Sequence, residues 1–477
     1  MKNLIFGLIL IHLQACSQDR PNVLFISIDD LNDWIGVMNG HPQAKTPNID
    51  ALANSGMLFT NAHCQAPICG PSRASIMTGL YPTTSGNYLQ LSDKDIKKSN
   101  EETSKAIFLP DYFEQHGYKT MGVGKIYHQG DKAQTFDEYG SAFEMFGPKA
   151  EKRLNYDPDW YGKPAGTQTD WGAYPDEDSL MPDYKSAKWA VEKLNQTHEK
   201  PFFLAVGFVR PHVPWTVPQK WFDEFPIEDI ETPAYLQNDF DDIPEFGQKV
   251  TYVPMMPSTE LLIEKKQWKQ AVQAYLACIS FVDAQVGKVL DALKRSEYAD
   301  NTIVVLWSDH GYHLGEKNRF AKQALWERAT KTVLMIKELN ATSGRVSNKP
   351  VQLLDMYPTL VDLCGLPTNK QNQGHSLRPL LENSSSSWPY AALTSFGKNN
   401  IAVSDERFRL IQYADNSIEL YDLNNDPNEW HNLSKNDLYK EEINRLREFI
   451  PIEQAELSKH SHFNLNDYWR DIIKSNE

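Results

Sequence analysis

Cysteine is scarce here, with five among 477 residues. Apart from Cys16 they are Cys64, Cys69, Cys278 and Cys364, too few for a disulfide framework to hold a fold of this size. Positive charge is also short: 48 Lys and Arg stand against 63 Asp and Glu, a formal net charge of −15. That balance argues against nucleic acid or an anionic membrane surface as partner. Long apolar runs are missing, and no internal repeat is visible. What is abundant is apolar and aromatic: 41% hydrophobic residues, with 12 Trp, 21 Tyr and 21 Phe, the composition of a globular chain. The length implies one large domain and a smaller one.

The most apolar stretch is at the start. Lys2 precedes Leu4 to Leu13, a run broken only by Gly7 and His12. It is too short to span a bilayer and has the form of an export signal. Leu13-Gln14-Ala15-Cys16 resembles a bacterial lipobox, in which Cys16 becomes the lipidated first residue. The alternative is an ordinary signal peptide cut near Ala15. The expectation is therefore an exported protein, periplasmic or held at the outer membrane or cell surface, touching membrane only through an anchor at Cys16.

Downstream, Asn22 to Ile28 is continuously apolar, as in a strand buried on both faces of a mainly parallel sheet. Thr46-Pro47 predicts a helix start, with Thr as N-cap and Pro in the first turn. Leu109 to Gln115 reads as helix, and Lys119 to Val123, Phe202 to Phe208, Ile303 to Trp307 and Val333 to Ile336 as strands. Trp268 to Leu293 has the amphipathic period of a long helix, and Val351 to Leu363 reads as another. This alternation predicts an α/β sandwich around a large, mostly parallel sheet. After Asn383-Ser-Ser-Ser-Ser387 come short strand-like runs, Ile401 to Ser404, Phe408 to Tyr413 and Ile418 to Asp422, then a helix from about Glu441 to Phe449. These predict a small antiparallel α+β subdomain. The expected division is a leader over 1–16, a catalytic domain over 17–382 and a C-terminal subdomain over 383–477. Two long irregular stretches, Phe146 to Tyr184 and Pro214 to Pro257, are rich in aromatics. Loops of that length are often functional; their rings either stack on sugars or pack the loops down.

Asp29-Asp30 and Asp309-His310 each follow a predicted buried strand. Carboxyl ends of parallel strands are where α/β sheets place ligands, and three converging carboxylates suit a hard divalent cation. A further motif is Cys69-Gly70-Pro71-Ser72-Arg73, with Thr78-Gly79 five and six residues beyond Arg73. Four such fixed positions arise by chance in roughly one chain in a thousand of this length. The pattern resembles the signature of the formylglycine-dependent sulfatases of the alkaline-phosphatase-like superfamily. Gly124-Lys125-Ile126-Tyr127-His128, Val206 to His212 and Asp309-His310 resemble the iduronate-2-sulfatase-like branch. Glu419 to Pro427 resembles the C-terminal region of the family.

The resemblance implies the following. A formylglycine-generating or anaerobic sulfatase-maturing enzyme oxidises Cys69 to an aldehyde, whose hydrate is the nucleophile. Ca²⁺ is held by Asp29, Asp30, Asp309 and His310 with the oxidised Cys69. Many members carry Asn where this chain has His310, and imidazole is an unusual partner for Ca²⁺. Arg73 and Lys125 hold the hydrate, and His128 is the base that collapses the intermediate. His212 and Lys322 contact the sulfate and protonate the leaving oxygen, with Arg319 a possible substitute for Lys322. Arg210, His313 and Arg319 are candidate substrate contacts. Pro71-Ser72-Arg73 opens a helix whose positive end faces the anion. The implied substrate is a sulfated polysaccharide or oligosaccharide of ulvan, carrageenan or glycosaminoglycan type. Two alternatives are a phosphoester or phosphonate hydrolase on the same fold, and a non-catalytic glycan-binding lipoprotein.

Overall fold

A computed structural model describes residues 20–131, 134–462 and 466–476. The lipobox and Cys16 lie outside the described residues. Nine strands form the main sheet: β1 (Asn22–Ile28), β2 (Met57–His63), β3 (Lys119–Gly124), β4 (Glu138–Tyr139), β6 (Phe202–Phe208), β8 (Thr302–Ser308), β9 (Lys331–Lys337), β10 (Arg345–Ser347) and β11 (Val351–Gln352). A separate parallel pair joins β5 (Trp171–Ala173) to β7 (Trp215–Val217). The main order is β10-β2-β9-β8-β1-β6-β3-β4, with β11 beside β2. All pairings are parallel except those of β9, which runs against both β2 and β8. In register, Ile28 lies beside Phe208 on one side and Ser308 on the other. The carboxyl ends of β8, β1, β6 and β3 therefore form one row.

The apolar runs are continuous because both faces of the sheet are covered. Leu24, Ile26 and Ile28 pack into one core with Leu204, Val206 and the helices Trp268–Arg295 and Pro182–Leu194. Val23 and Phe25 point the other way, into a second core with Phe203, Val305 and the helices Cys69–Thr78, Leu109–Gln115 and Met356–Leu363. Each such Val, Leu, Ile or Phe contributes about 1.5–3 kcal/mol by leaving water, so the central strands are fixed from two sides.

Two local expectations are corrected. Val351–Gln352 is a short edge strand on β2, followed by a single turn over Leu353–Asp355, and the helix begins only at Met356. The apolar pattern runs through the change without a break, which is why it read as one helix. Thr46 precedes a helix with Pro47 at its start, but its hydroxyl bonds the Asp50 carboxylate instead of capping the backbone.

Beyond the main sheet, β12 (Ala392–Ser395), β13 (Ile401–Ser404), β14 (Phe408–Gln412) and β15 (Ile418–Asp422) form an antiparallel sheet. One face carries the helix Lys440–Arg447 through Ile443 and Leu446. The other face packs Ala402, Ile411 and Tyr421 against Leu325 and Trp326. The second sheet thus braces the segment that carries Lys322. In the long loops, Trp160 stacks on Trp171 at 5.3 Å, and Trp171 lies 6.2 Å from Trp215. These three indoles are buried and pack the loops down. Among the described residues no helix is long and apolar enough to cross a membrane.

Candidate active site

Asp29 and Asp30 leave β1, Asp309 and His310 leave β8, Lys125 leaves β3, and His212 follows β6. Four adjacent strands thus deliver the site to one end of the sheet. Close approach at its base requires glycine. A Cβ on Gly207 would lie 2.3 Å from the Lys125 carbonyl carbon, and one on Gly124 2.0 Å from the Gly207 carbonyl oxygen. Cys69 is the first residue of the helix Cys69–Thr78. The next amide, of Gly70, donates to Gln90 Oε1 at 3.1 Å.

Polar groups converge on the Cys69 Sγ. Lys322 Nζ is 3.1 Å away, His310 Nε2 3.3 Å and Asp30 Oδ1 3.9 Å, and His128 bonds the same sulfur. Burial opposes ionisation of the thiol, but Lys125, Lys322 and His310 outweigh it and hold the group well below the ordinary thiol range. Cys64, buried without such neighbours, is pushed the other way, by burial foremost. Both are free cysteines.

The acidic groups are locked in ion pairs. Arg73 Nε donates to Asp309 Oδ2 at 2.9 Å, and its NH2 lies 3.5 Å from Asp29 Oδ1. Its NH1 donates to the Lys125 and Ile126 carbonyls at 2.5 and 3.0 Å. Lys125 pairs with Asp29 and Lys322 with Asp30. Burial works against the charge of Arg73, Lys125 and Lys322, yet their carboxylates win and raise all three. Burial likewise opposes protonated His310, but Asp309 raises it to about 9. Burial pushes Asp309 itself up to about 7, over the pull of Arg73. His128 goes down, again through burial first, which keeps its imidazole neutral.

Asp30 adopts a left-handed backbone, φ 62°. Its amide donates to Asp309 Oδ1 at 3.2 Å, and Tyr275 donates its hydroxyl to the Asp30 carbonyl at 2.7 Å. Such strain persists only where the surroundings over-determine it. Asp29 Oδ1 and Asp30 Oδ2 are buried with no hydrogen-bond partner among the described residues. Ligand atoms of Asp29, Cys69, Asp309 and His310 all lie within 4.8 Å of one another, as do those of Asp29, Asp30, Cys69 and His212. This oxygen-rich set with two orphaned carboxylate oxygens fits a hard divalent cation. Asp29, Asp30, Asp309 and His310 are wholly buried, whereas Lys322 and His212 are 5% and 8% exposed and His128 is half-buried. The latter three form the rim facing solvent.

The ten predicted chemical groups therefore meet. Three predicted substrate contacts do not. Arg210 is wholly buried and turned inward, its guanidinium donating to the Thr216 carbonyl and hydroxyl and to the His212 and Phe146 carbonyls. It shapes the His212 loop and has no group facing the site. His313 is also buried, with its Nδ1 3.0 Å from the Ala321 carbonyl oxygen and its ring edge-on to Trp326. Arg319 lines a separate cavity and donates to the Lys322 carbonyl at 2.7 Å, so it does not replace Lys322 at Cys69. Sequence reasoning missed Asp93, whose carboxylate receives the Gln129 amide at 2.6 Å and also bonds the His128 amide. Nor did it reveal Tyr275 or Gln90. All three act by position alone and lie outside any motif. A cavity of about 940 Å³ beside Tyr161, Tyr252 and Tyr468 contains none of the site residues. The chemistry, not the size of a hollow, locates the site.

The sulfatase family profile matches residues 21–366, and that of the C-terminal region of N-sulphoglucosamine sulphohydrolase matches 315–456. This chain belongs to the sulfatase family. A sulfatase of Formosa agariphila is 48% identical over 457 residues, covering 94% of this chain and 90% of its own. Mouse iduronate 2-sulfatase is 31% identical over 419 residues, covering 76% and 73%. Among solved structures, an enzyme in complex with its substrate D-glucosamine-2-N,6-O-disulfate superposes with a TM-score of 0.69 at 23% identity, over 96% of this chain and 99% of its own. The sulfatase is a sulfuric ester hydrolase of the alkaline-phosphatase-like fold.

Proposed function

We propose that this sulfatase hydrolyses sulfate esters on an anionic carbohydrate, using Cys69 oxidised to formylglycine and a Ca²⁺ ion. The observation that carries the reading is the convergence of Lys322 and His310 on the Cys69 side chain, at 3.1 and 3.3 Å, at the first turn of a helix. A structural cysteine needs no such company. Bound by Asp29, Asp30 and Asp309, and by His310 once it gives up its proton, Ca²⁺ would supply positive charge that offsets the charge of the sulfuryl group. Formylglycine, as its hydrate, would supply a nucleophile whose second hydroxyl expels the sulfate without water attacking sulfur, and one water would then rehydrate the aldehyde.

The chain's own residues do the rest. Arg73 neutralises Asp29 and Asp309 and, through the Lys125 carbonyl, ties the β3 turn to the helix. Lys125 and Lys322 present ammonium groups where negative charge accumulates, in a site that is mostly buried. His128, neutral and bonded to the Cys69 side chain, accepts a proton there. His212, at the rim and 3.9 Å from Asp30, and Lys322 donate one to the departing alcohol oxygen.

A carbohydrate substrate is supported by the disulfated glucosamine bound by the structural neighbour and by the iduronate of the mouse relative. Export before action, with Cys69 oxidised by a maturing enzyme of the host, agrees with the leader-like start. The test is sulfate release from a panel of sulfated mono- and oligosaccharides, run with oxidised Cys69, beside matched aryl sulfate and aryl phosphate. Sulfate release, with sulfate preferred over phosphate, is expected. No release from any sugar, or a faster phosphate reaction, would overturn the proposal.

A further inference from the structure

The other buried guanidiniums described here are held by acids or, at Arg210, by the Thr216, His212 and Phe146 oxygens, which engage all three of its nitrogens. Arg73 sits on Asp29 and Asp309, and Arg409 on Glu327 and Glu429. Arg319 differs. It is 7% exposed, and among the described residues no carboxylate lies within ion-pair distance. Its NH2 donates to the Lys322 carbonyl at 2.7 Å and the Gln323 carbonyl at 3.4 Å, and its Nε has no acceptor. The guanidinium carbon lies 5.7 Å from the Trp326 ring centre. Burying a charge without a counter-charge is costly, so the position is incomplete as a purely structural one.

Arg319 lines a cavity of about 380 Å³, a volume suited to a small ligand. Trp160, Phe240 and Tyr252 supply aromatic walls, and Lys317 and Asn318 flank Arg319. The other charges of the lining are engaged: Lys317 by Asp239 and the Glu429 carbonyl, and Asp159 by Lys265. Among the described residues of the lining, Arg319 is thus the cation left for an occupant. Arg319 holds the carbonyl of Lys322, whose ammonium touches Cys69.

We infer that Arg319 is a specificity residue that clamps a second anionic group of the substrate, a sugar carboxylate or a second sulfate, in this cavity while the first sulfate lies at Cys69. The planar fork of arginine suits both anions bidentately, and the aromatic walls suit the sugar's apolar faces. The substrate class narrows to saccharides bearing at least two acidic groups. This rests on the carbohydrate sulfatase reading above.

The test compares kcat/KM of the wild type, Arg319→Gln and Arg319→Lys on four probes: 4-nitrophenyl sulfate, glucosamine 6-O-sulfate, glucosamine N,6-O-disulfate and a sulfated uronic-acid disaccharide. The wild type is expected to prefer at least one doubly anionic sugar over the monosulfated one. Arg319→Gln is expected to lower that preference by roughly tenfold or more, the worth of a charged hydrogen bond, with Arg319→Lys in between. Loss confined to the uronic-acid probe assigns the carboxylate; loss confined to the disulfate assigns the second sulfate. Equal losses on all four probes, or an unchanged preference, would overturn the inference. Absence of sulfate release by the wild type from any sugar would instead overturn the carbohydrate reading itself. Melting temperature separates folding from recognition. A clamp without its ligand predicts that Arg319→Gln melts no lower than wild type, whereas a structural cation predicts a clear drop.

Discussion

Lys322 carries the sharpest residue-level expectation, because one ammonium bonds Asp30 and lies 3.1 Å from the Cys69 sulfur. Lys322→Ala should lower kcat on 4-nitrophenyl sulfate by about 10²–10³, the cost of removing one preorganised donor; a rate within twofold of wild type would remove Lys322 from the chemistry. Asp93 acts at one remove, through the His128 and Gln129 amides. Asp93→Ala should therefore lower kcat roughly tenfold while KM changes little, and a KM effect alone would contradict a positioning role. The residues that gather round Cys69 were legible in the sequence because their motifs keep them at fixed spacings from strand ends. Arg210 sits inside a motif too, yet its donors go to the Thr216, His212 and Phe146 oxygens, and no spacing shows which way a guanidinium turns. Asp93 and Tyr275 were invisible because their partners are backbone atoms made close only by folding.

At the scale of elements, the site depends on four strand ends meeting at one level, and that level is set by contact between glycines. Gly207→Ala would drive a methyl to 2.3 Å from the Lys125 backbone, displacing the turn that supplies Lys125 and Arg73's carbonyl partner. We expect a loss of several degrees in melting temperature and a larger loss of activity than of stability; a variant with wild-type rates would show that the β3–β6 approach does not position the site. The central strands were readable because β1, β6 and β8 are apolar on both faces, and that occurs only in a covered parallel sheet. The segment after Val351 was not, because a two-residue edge strand and the following helix share one apolar pattern. The packing of the second sheet on Leu325 and Trp326 was equally hidden, since its contacts join residues about eighty positions or more apart.

For the whole molecule, that packing predicts a pH response. His63, at the end of β2, is wholly buried, with Arg409 of the second sheet 3.4 Å from its Nδ1. Burial, reinforced by Arg409, lowers its pKa from 6.5 to about 3. A depressed folded value means that the unfolded chain binds the proton more readily. The contribution of neutral His63 is thus present in full above about pH 6.5 and is lost as pH falls toward 3, by up to about 1.4 kcal/mol per unit. Melting temperatures of His63→Gln should fall less steeply over that window than those of wild type, and parallel curves would refute the assignment. Removing divalent cations with a chelator should lower both activity and melting temperature, and Ca²⁺ should restore them, since a ligand of the folded state alone stabilises it by about 2.7 kcal/mol at a hundredfold excess over Kd; indifference to chelation would exclude a resident cation. Cys69 is proposed to react as its oxidised form, and mass analysis of the Cys69 peptide from active enzyme reads that form out. The expected peptide has oxygen in place of sulfur and two hydrogens fewer, its abundance rising in step with sulfate release; fully active protein whose Cys69 peptide carries a plain thiol would refute the proposal.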